Sequence, residues 1–133
     1  MVGVDLLEIR KFENVFAKYG EKFLKRIFTE KELSYFYRRG PTKIVIAELA
    51  ARYAAKEAVS KVLGTGIKLL GSKGKIGVFW KEVEVLTESS GKPIIVLHGW
   101  AKERAGELGF KEIHISLTHI ANLAQAMALA EKA

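Results

Sequence analysis

The stretch that decides the fold is RYAAKEAVSK, residues 52–61. It lies inside a longer segment, 46–63, which is rich in Ala, Leu, Glu and Lys and lacks Gly and Pro, so the composition predicts one continuous helix. At about 100° per residue, Tyr53 and Ala54 fall on the apolar face and Glu57 lies at its centre. Arg52 and Lys56 fall on the opposite face, where the pattern predicts solvated charges.

A carboxylate on an apolar helix face must be paired or must bind a cation, because burying it unpaired is costly. Asp5 presents the same problem, since it interrupts the strand-like run that begins at Val2. Two carboxylates placed against the apolar pattern suggest a site for a hard metal ion. Two plainer readings stay open at this point: Glu57 and Lys61 form a helical ion pair, or Asp5 caps a helix that begins near residue 6.

The length and composition predict one domain over residues 1–133. Hydrophobic residues make up 49% of the chain, but no apolar run approaches the roughly 20 residues of a membrane span. The chain has no cysteine, which excludes disulfides, thiolate metal sites and cysteine nucleophiles and fits a cytoplasmic protein. The net charge of +7 predicts an acidic partner or a phosphate-rich ligand.

Part of that positive charge is concentrated near the N-terminus. Four lysines would form one stripe on a continuous helix, namely Lys11, Lys18, Lys22 and Lys25. Gly20 lies within this segment and is a candidate for breaking the helix in two. The stripe is either a solvated face or a docking surface, and composition alone leaves both open.

The order of elements predicts an α+β class, with helices first and antiparallel strands later. A capping box at Thr29 and Glu32 opens a helix that runs through Tyr37. The predicted strands cover residues 2–4, 82–87, 94–97, 112–118 and 123–129, and the remaining helices cover residues 6–27 and 99–108. The last two strands predict a hairpin. Residues 67–78 read as a loop.

Several smaller motifs carry less weight. Gly64, Thr65 and Gly66 end the long helix, and their amides either approach an anion or simply stop the helix. His114 and His119 have opposite parity on one strand, so the histidines do not predict a metal site. Trp80 and Trp100 fit core or interface positions.

The chain resembles a known family, the holo-acyl-carrier-protein synthases, which are small bacterial 4′-phosphopantetheinyl transferases. The resemblance rests on motifs in the family's order, listed here by position: GVDLLEI at 3–9, RIFTEKE at 26–32, RYAAKEAVSK with GTGI at 52–67, EVEV at 82–85, GKP at 91–93 and ISLTH at 115–119. Together they run nearly end to end along the chain.

The resemblance implies a compact single domain with a long central helix packed on a small antiparallel sheet. It implies transfer of the phosphopantetheine arm of coenzyme A to a serine of acyl carrier protein, in support of fatty acid biosynthesis. It also implies a homotrimer with active sites between subunits.

The resemblance further assigns roles to individual residues. Asp5 and Glu57 would be the Mg²⁺ ligands, with Glu57 and Lys61 catalytic; the base that takes the serine proton is either Glu57 or a water on the metal. Coenzyme A would contact a wider set: Arg52, Lys61, Gly64, Thr65, Gly66 and His119. An acidic carrier protein would dock on a basic set: Lys11, Lys18, Lys22, Lys25 and Arg26.

Two alternatives remain beside this reading. One is a non-catalytic basic module that binds nucleic acid through the N-terminal stripe and the lysines of 68–75, although the resemblance gives no reason to expect nucleic acid as a partner. The other is a family member that keeps the fold as a scaffold and has lost the activity.

Overall fold

The structure is a computed structural model, and it describes residues 1–40, 42–64 and 80–133. The elements follow in the order β1 (Val2–Glu8), α1 (Ile9–Tyr19), α2 (Glu21–Ile27), α3 (Glu30–Tyr37), α4 (Lys43–Val62), a 3₁₀ turn (Trp80–Glu82), β2 (Val83–Thr87), β3 (Pro93–Leu97), α5 (Gly99–Glu107), β4 (Phe110–His119) and β5 (Leu123–Lys132). The α+β class predicted from the sequence is confirmed. The predicted loop at 67–78 lies outside the described residues.

Two antiparallel sheets frame the long helix. One has the strand order β1-β5-β4 and the other pairs β2 with β3. The predicted hairpin of the last two strands is present, with His119 opposite Ala124. None of the helices within the described ranges is long and apolar enough to cross a membrane.

Small residues bring α4 close to the three-stranded sheet. β5 alternates along its length, so its inward positions carry alanines that are fully or almost fully buried: Ala124, Ala126, Ala128 and Ala130. On β1, a Cβ added to Gly3 would overlap the carbonyl oxygen of Ala58 and would lie 2.8 Å from Cγ2 of Val62. The sequence therefore places its smallest residues where helix and sheet approach most closely.

The first strand is longer than predicted. β1 pairs with β5 from Val2, opposite Leu129, to Glu8, opposite Leu123, so the helical segment begins at Ile9 rather than near residue 6. Asp5 lies within the strand, and the reading in which it caps a helix is wrong. Asp5 and Glu8 interrupt the apolar pattern, so residues 5–8 do not look like a strand in the sequence. Pairing with β5, which lies far along the chain, stabilises the strand there.

The helical starts and stops follow local chemistry. Gly20 adopts a φ of 61° and separates α1 from α2, so the four lysines do not lie on one continuous helix. The capping box of Thr29 and Glu32 is confirmed. α4 begins at Lys43, three residues earlier than predicted, because the Thr42 side chain accepts a hydrogen bond from the Val45 amide.

Candidate functional site

The candidate site lies where β1 faces α4. Side chains alternate along β1, so Gly3, Asp5 and Leu7 point toward the helix while Val2, Val4 and Leu6 point away. On α4, Glu57 is half-buried, and it lies close enough to Asp5 for the charge of that carboxylate to raise its pKa. The strand and the helix thus bring together the two carboxylates that the sequence singled out.

Lys61 closes one end of this gap. Its Nζ donates to the carbonyl oxygen of Val4 at 2.8 Å and to Oδ1 of Asp5 at 3.1 Å. The reading in which Lys61 pairs with Glu57 along the helix is not what the structure shows, since Lys61 reaches across to β1 instead. The ammonium therefore stands beside the two carboxylates as a third charged group.

The electrostatics of the pair favour a cation. Burial, followed by the charge of Asp5, raises the pKa of Glu57, and Lys61 offsets this only in part. Within the described part of the chain, Glu57 has no ion-pair partner. Two carboxylates that repel one another in a half-buried gap form a donor set that fits Mg²⁺, which takes one or two carboxylates and fills its other positions with phosphate oxygens and water.

Tyr53 lies one turn before Glu57 and was not predicted as a site residue. Its ring stacks on Trp80 with centroids 4.5 Å apart and planes at 28°. Burial, followed by the charges of Glu57 and Asp5, raises the pKa of the Tyr53 hydroxyl to about 12. The aromatic signal in the sequence was visible, but the apolar pattern assigned Tyr53 to the core.

Lys56 does not lie where the helical pattern placed it. The prediction of a solvated face is wrong, because the Lys56 side chain is fully buried. Its Nζ donates to Oε1 of Glu32 at 2.9 Å and to the carbonyl oxygens of Trp80 and Val83 at 3.1 and 2.6 Å. Burial lowers the pKa of Lys56 despite Glu32. Lys56 therefore fixes the rotation of α4 next to Glu57.

Arg52 is likewise buried rather than solvated, and only 7% of it is exposed. One guanidinium NH₂ donates to Oγ1 of Thr87 at 2.9 Å, and the group stacks over Phe36. Burial lowers the pKa of Arg52. Its Nε is buried with no hydrogen-bond partner among the residues that the structure describes. The guanidinium is thus part of the contact between α4, β2 and α3 and is not exposed to the gap between β1 and α4.

The structure describes only some of the other residues predicted to contact coenzyme A. Gly64 adopts a φ of 75° at the end of α4, but Thr65 and Gly66 lie outside the described residues. His119 ends β4 opposite Ala124, which in turn lies opposite Leu7. His119 is thus on the same sheet face as Asp5 and, counting two strand spacings, roughly 10 Å from β1.

The three histidines have separate surroundings, as the sequence predicted. His98 contacts Oε1 of Glu84 at 2.9 Å. His114 lies on the outer sheet face between Glu112 and Glu131, at 3.3 and 3.0 Å. The histidines therefore supply no common metal site.

The basic residues predicted to dock a carrier are all exposed. They sit on two helices that Gly20 separates, with Lys11 and Lys18 on α1 and Lys22, Lys25 and Arg26 on α2. Lys25 is 3.8 Å from Glu21, while the described residues offer Lys22 no acidic partner. The surface is basic, but it is not the single straight stripe that the spacing predicted.

Comparison with known proteins identifies the family. The model of the 4′-phosphopantetheinyl transferase superfamily matches residues 1–126, and the chain belongs to this family. The holo-[acyl-carrier-protein] synthase of Solibacter usitatus is 40% identical over 129 residues, which cover 97% of this chain and 95% of that protein.

Solved structures share the fold. The crystal structure of the holo-[acyl-carrier-protein] synthase of Neisseria meningitidis matches with a TM-score of 0.81 at 29% identity, covering 98% of this chain and 97% of that one. A holo-(acyl-carrier-protein) synthase from Bacillus anthracis in complex with CoA (3′,5′-ADP) matches with a TM-score of 0.76 at 29% identity, covering 99% and 96%.

Proposed function

We propose that the chain transfers the 4′-phosphopantetheine arm of coenzyme A to a serine of apo acyl carrier protein. The products are holo acyl carrier protein and adenosine 3′,5′-bisphosphate, and the reaction supports fatty acid biosynthesis. The observation that carries this proposal is the family membership of residues 1–126, combined with the half-buried pair Asp5 and Glu57 facing each other across β1 and α4. The match over nearly the whole chain also supports a single domain over 1–133.

Asp5 and Glu57 would hold Mg²⁺ together with the pyrophosphate of coenzyme A. When bound, the ion polarises the phosphates and neutralises charge on the leaving group. The repulsion between the two carboxylates supports this assignment, because a divalent cation would relieve it.

Lys61 would add a positive charge beside the phosphates. Its ammonium is half-exposed and already lies 3.1 Å from Asp5, so it is oriented by the same carboxylate that would hold the ion. The serine oxygen forms the new bond to phosphorus, and the bridging oxygen leaves with its electron pair on adenosine 3′,5′-bisphosphate. The serine proton passes to Glu57 or to water.

The remaining contacts to coenzyme A are proposed for Arg52, Gly64, Thr65, Gly66 and His119. Arg52 packs against Thr87 and Phe36, on the other side of α4 from Glu57, so its assignment rests on the family resemblance alone. The exposed basic residues of α1 and α2 would bind the acidic carrier protein. The cytoplasmic location stays a prediction from composition.

A homotrimer with active sites between subunits is also part of the proposal. The outer face of the three-stranded sheet supports it: Val2 lies opposite Leu129 and Val4 opposite Met127, and each of these side chains is 40% to 59% exposed. A contiguous apolar patch of this kind on a sheet marks an association surface. We assign it to further copies of this chain.

Mass spectrometry tests the function directly. Apo acyl carrier protein is incubated with the protein and coenzyme A, with and without Mg²⁺, and the mass of one phosphopantetheine should appear on the carrier serine only with Mg²⁺. A folded protein that leaves an authentic carrier unchanged would overturn the enzymatic function and leave the scaffold. The comparisons give the nucleic-acid alternative no support, since the relatives that they name are synthases.

A further inference from the structure

The accessible side chains in the second half of α4 form a single line. Between residues 49 and 60 only Tyr53 and Glu57 escape burial, and Lys61 follows as an exposed residue. These three are spaced by four residues and therefore lie one above the other on the helix surface. The line runs from a phenol through a carboxylate to an ammonium.

The phenol is held in place by its ring. Besides the stack on Trp80, the Tyr53 ring meets the edge of Phe12 with centroids 5.7 Å apart, and it lies 6.2 Å from Phe23. Its hydroxyl has no hydrogen-bond partner among the described residues. An oriented ring that carries an unused donor next to the carboxylate pair is available to a bound ligand.

Along this line of α4 side chains, Tyr53 is the residue nearest to the proposed docking surface for the carrier protein. Phe12 and Phe23 belong to α1 and α2, and Phe23 directly follows Lys22 of the proposed docking surface. Tyr53 thus lies on the docking side of Glu57, and Lys61 lies on the other side. A phosphoryl group held at Glu57 would have the phenol on the side from which the carrier arrives.

We propose that the Tyr53 hydroxyl is a hydrogen-bond donor to the phosphoryl group during its transfer, which makes Tyr53 a further catalytic residue. This inference rests on the proposed function. The phenol keeps its proton throughout and neither accepts the serine proton nor forms a bond to phosphorus. Its contribution arises because charge on the phosphoryl oxygens is stabilised by a donor that is already oriented.

The test is Tyr53→Phe, which removes the hydroxyl and keeps the ring. The rate of a single turnover, measured with enzyme in excess over coenzyme A, should fall about 10- to 100-fold, as expected for the loss of one hydrogen bond to a charged group. The KM for coenzyme A, the Mg²⁺ concentration at half-maximal rate and the Tm should stay close to those of the wild type. A purely structural tyrosine would change the Tm and leave the rate of the folded enzyme unchanged.

Tyr37→Phe is the matched control, because Tyr37 lies at the end of α3 and is half exposed. It should keep the wild-type rate. An unchanged single-turnover rate in Tyr53→Phe would overturn the inference, as would a fall that higher Mg²⁺ restores, which would mean that the hydroxyl acts through the metal ligands. If the wild type itself transfers nothing, the proposed function fails; if it transfers and Tyr53→Phe matches it, only this inference fails.

Discussion

The Nζ atom of Lys56 lies 2.9 Å from Oε1 of Glu32, and neither side chain has any exposed surface. This pair joins α4 to the capping box that opens α3, because Oε1 of Glu32 also accepts a hydrogen bond from the Thr29 amide at 2.8 Å. Oε2 of Glu32 accepts the Val85 amide from β2 at 3.0 Å. One ion pair therefore connects two helices and a strand at the residue that precedes Glu57 on α4.

Lys56→Met should destabilise the protein by about 3–5 kcal/mol, because Glu32 would be left buried without its cation. Chemical denaturation measures the loss. The double variant Lys56→Met with Glu32→Gln should recover part of it, since the glutamine keeps an acceptor but carries no charge. Equal stability of the single and double variants would contradict the role of the charge.

The ion pair of Lys56 and Glu32 shows which features of the fold the sequence alone can predict. The long helix and the capping box follow from local patterns, and so does the placement of Asp5 and Glu57 as carboxylates among apolar residues. The burial of Lys56 does not, because its acceptors lie 24 and 27 residues away on α3 and β2. Helical periodicity ranks residues by polarity and cannot show that a distant carboxylate and two carbonyl oxygens converge on a lysine.

Arg52 and Lys61 show the same limit. Arg52 donates a hydrogen bond to Thr87, which lies 35 residues away in the sequence. Lys61 donates one to Asp5, which lies 56 residues away. Each pairing depends on how α4 packs against strands that follow or precede it, so the helical spacing of Glu57 and Lys61 predicted a different partner. Family resemblance named these residues as site residues, while their contacts required the structure.

Glu57→Gln should abolish transfer and, without Mg²⁺, raise the Tm by about 1–3 °C at pH 7.5. Because the pKa of Glu57 is raised in the folded protein, the stability that this group contributes is present below its unfolded value and is lost as pH rises through the folded value. Glutamine has no proton to lose and therefore stays uncharged at every pH. The gain should therefore vanish below about pH 4.5, where both forms are neutral.

The same variant tests the metal site. In the wild type, Mg²⁺ should raise the Tm, and this rise should shrink as the pH falls through the pKa of Glu57, because protons compete for the carboxylate. Glu57→Gln should lose most of the rise. Glu103→Gln, on the exposed side of α5, should behave as the wild type. A full Mg²⁺ response in Glu57→Gln would exclude Glu57 as a ligand.

Gly3→Ala should weaken both folding and the metal site. A methyl group at this position overlaps the Ala58 carbonyl and crowds Val62, so β1 must move away from α4 and carry Asp5 with it. Overpacking of this kind costs about 1–3 kcal/mol. The Mg²⁺ concentration at half-maximal activity should rise, whereas Gly106→Ala, at an open position on α5, should leave it unchanged.

Lys22→Glu should raise the KM for the carrier protein about 5- to 10-fold at low salt and leave the KM for coenzyme A unchanged. The difference in this KM between the variant and the wild type should narrow as salt is added, because salt screens exposed charges. Lys132→Glu, at the end of β5 that lies away from α1 and α2, makes the same charge change as a control. Equal effects of both variants would show that only net charge matters.

Met127→Lys tests the assignment of the outer sheet face. Met127 lies opposite Val4 and is 49% exposed, so a lysine there does not disturb the core of a single chain. Between subunits it would bury an unpaired charge, and the protein should change from a trimer to a monomer in sedimentation experiments. Transfer should fall with it, because the proposed active sites lie between subunits. Glu103→Lys adds positive charge on α5 and should stay trimeric, and a trimeric Met127→Lys would place the interface elsewhere.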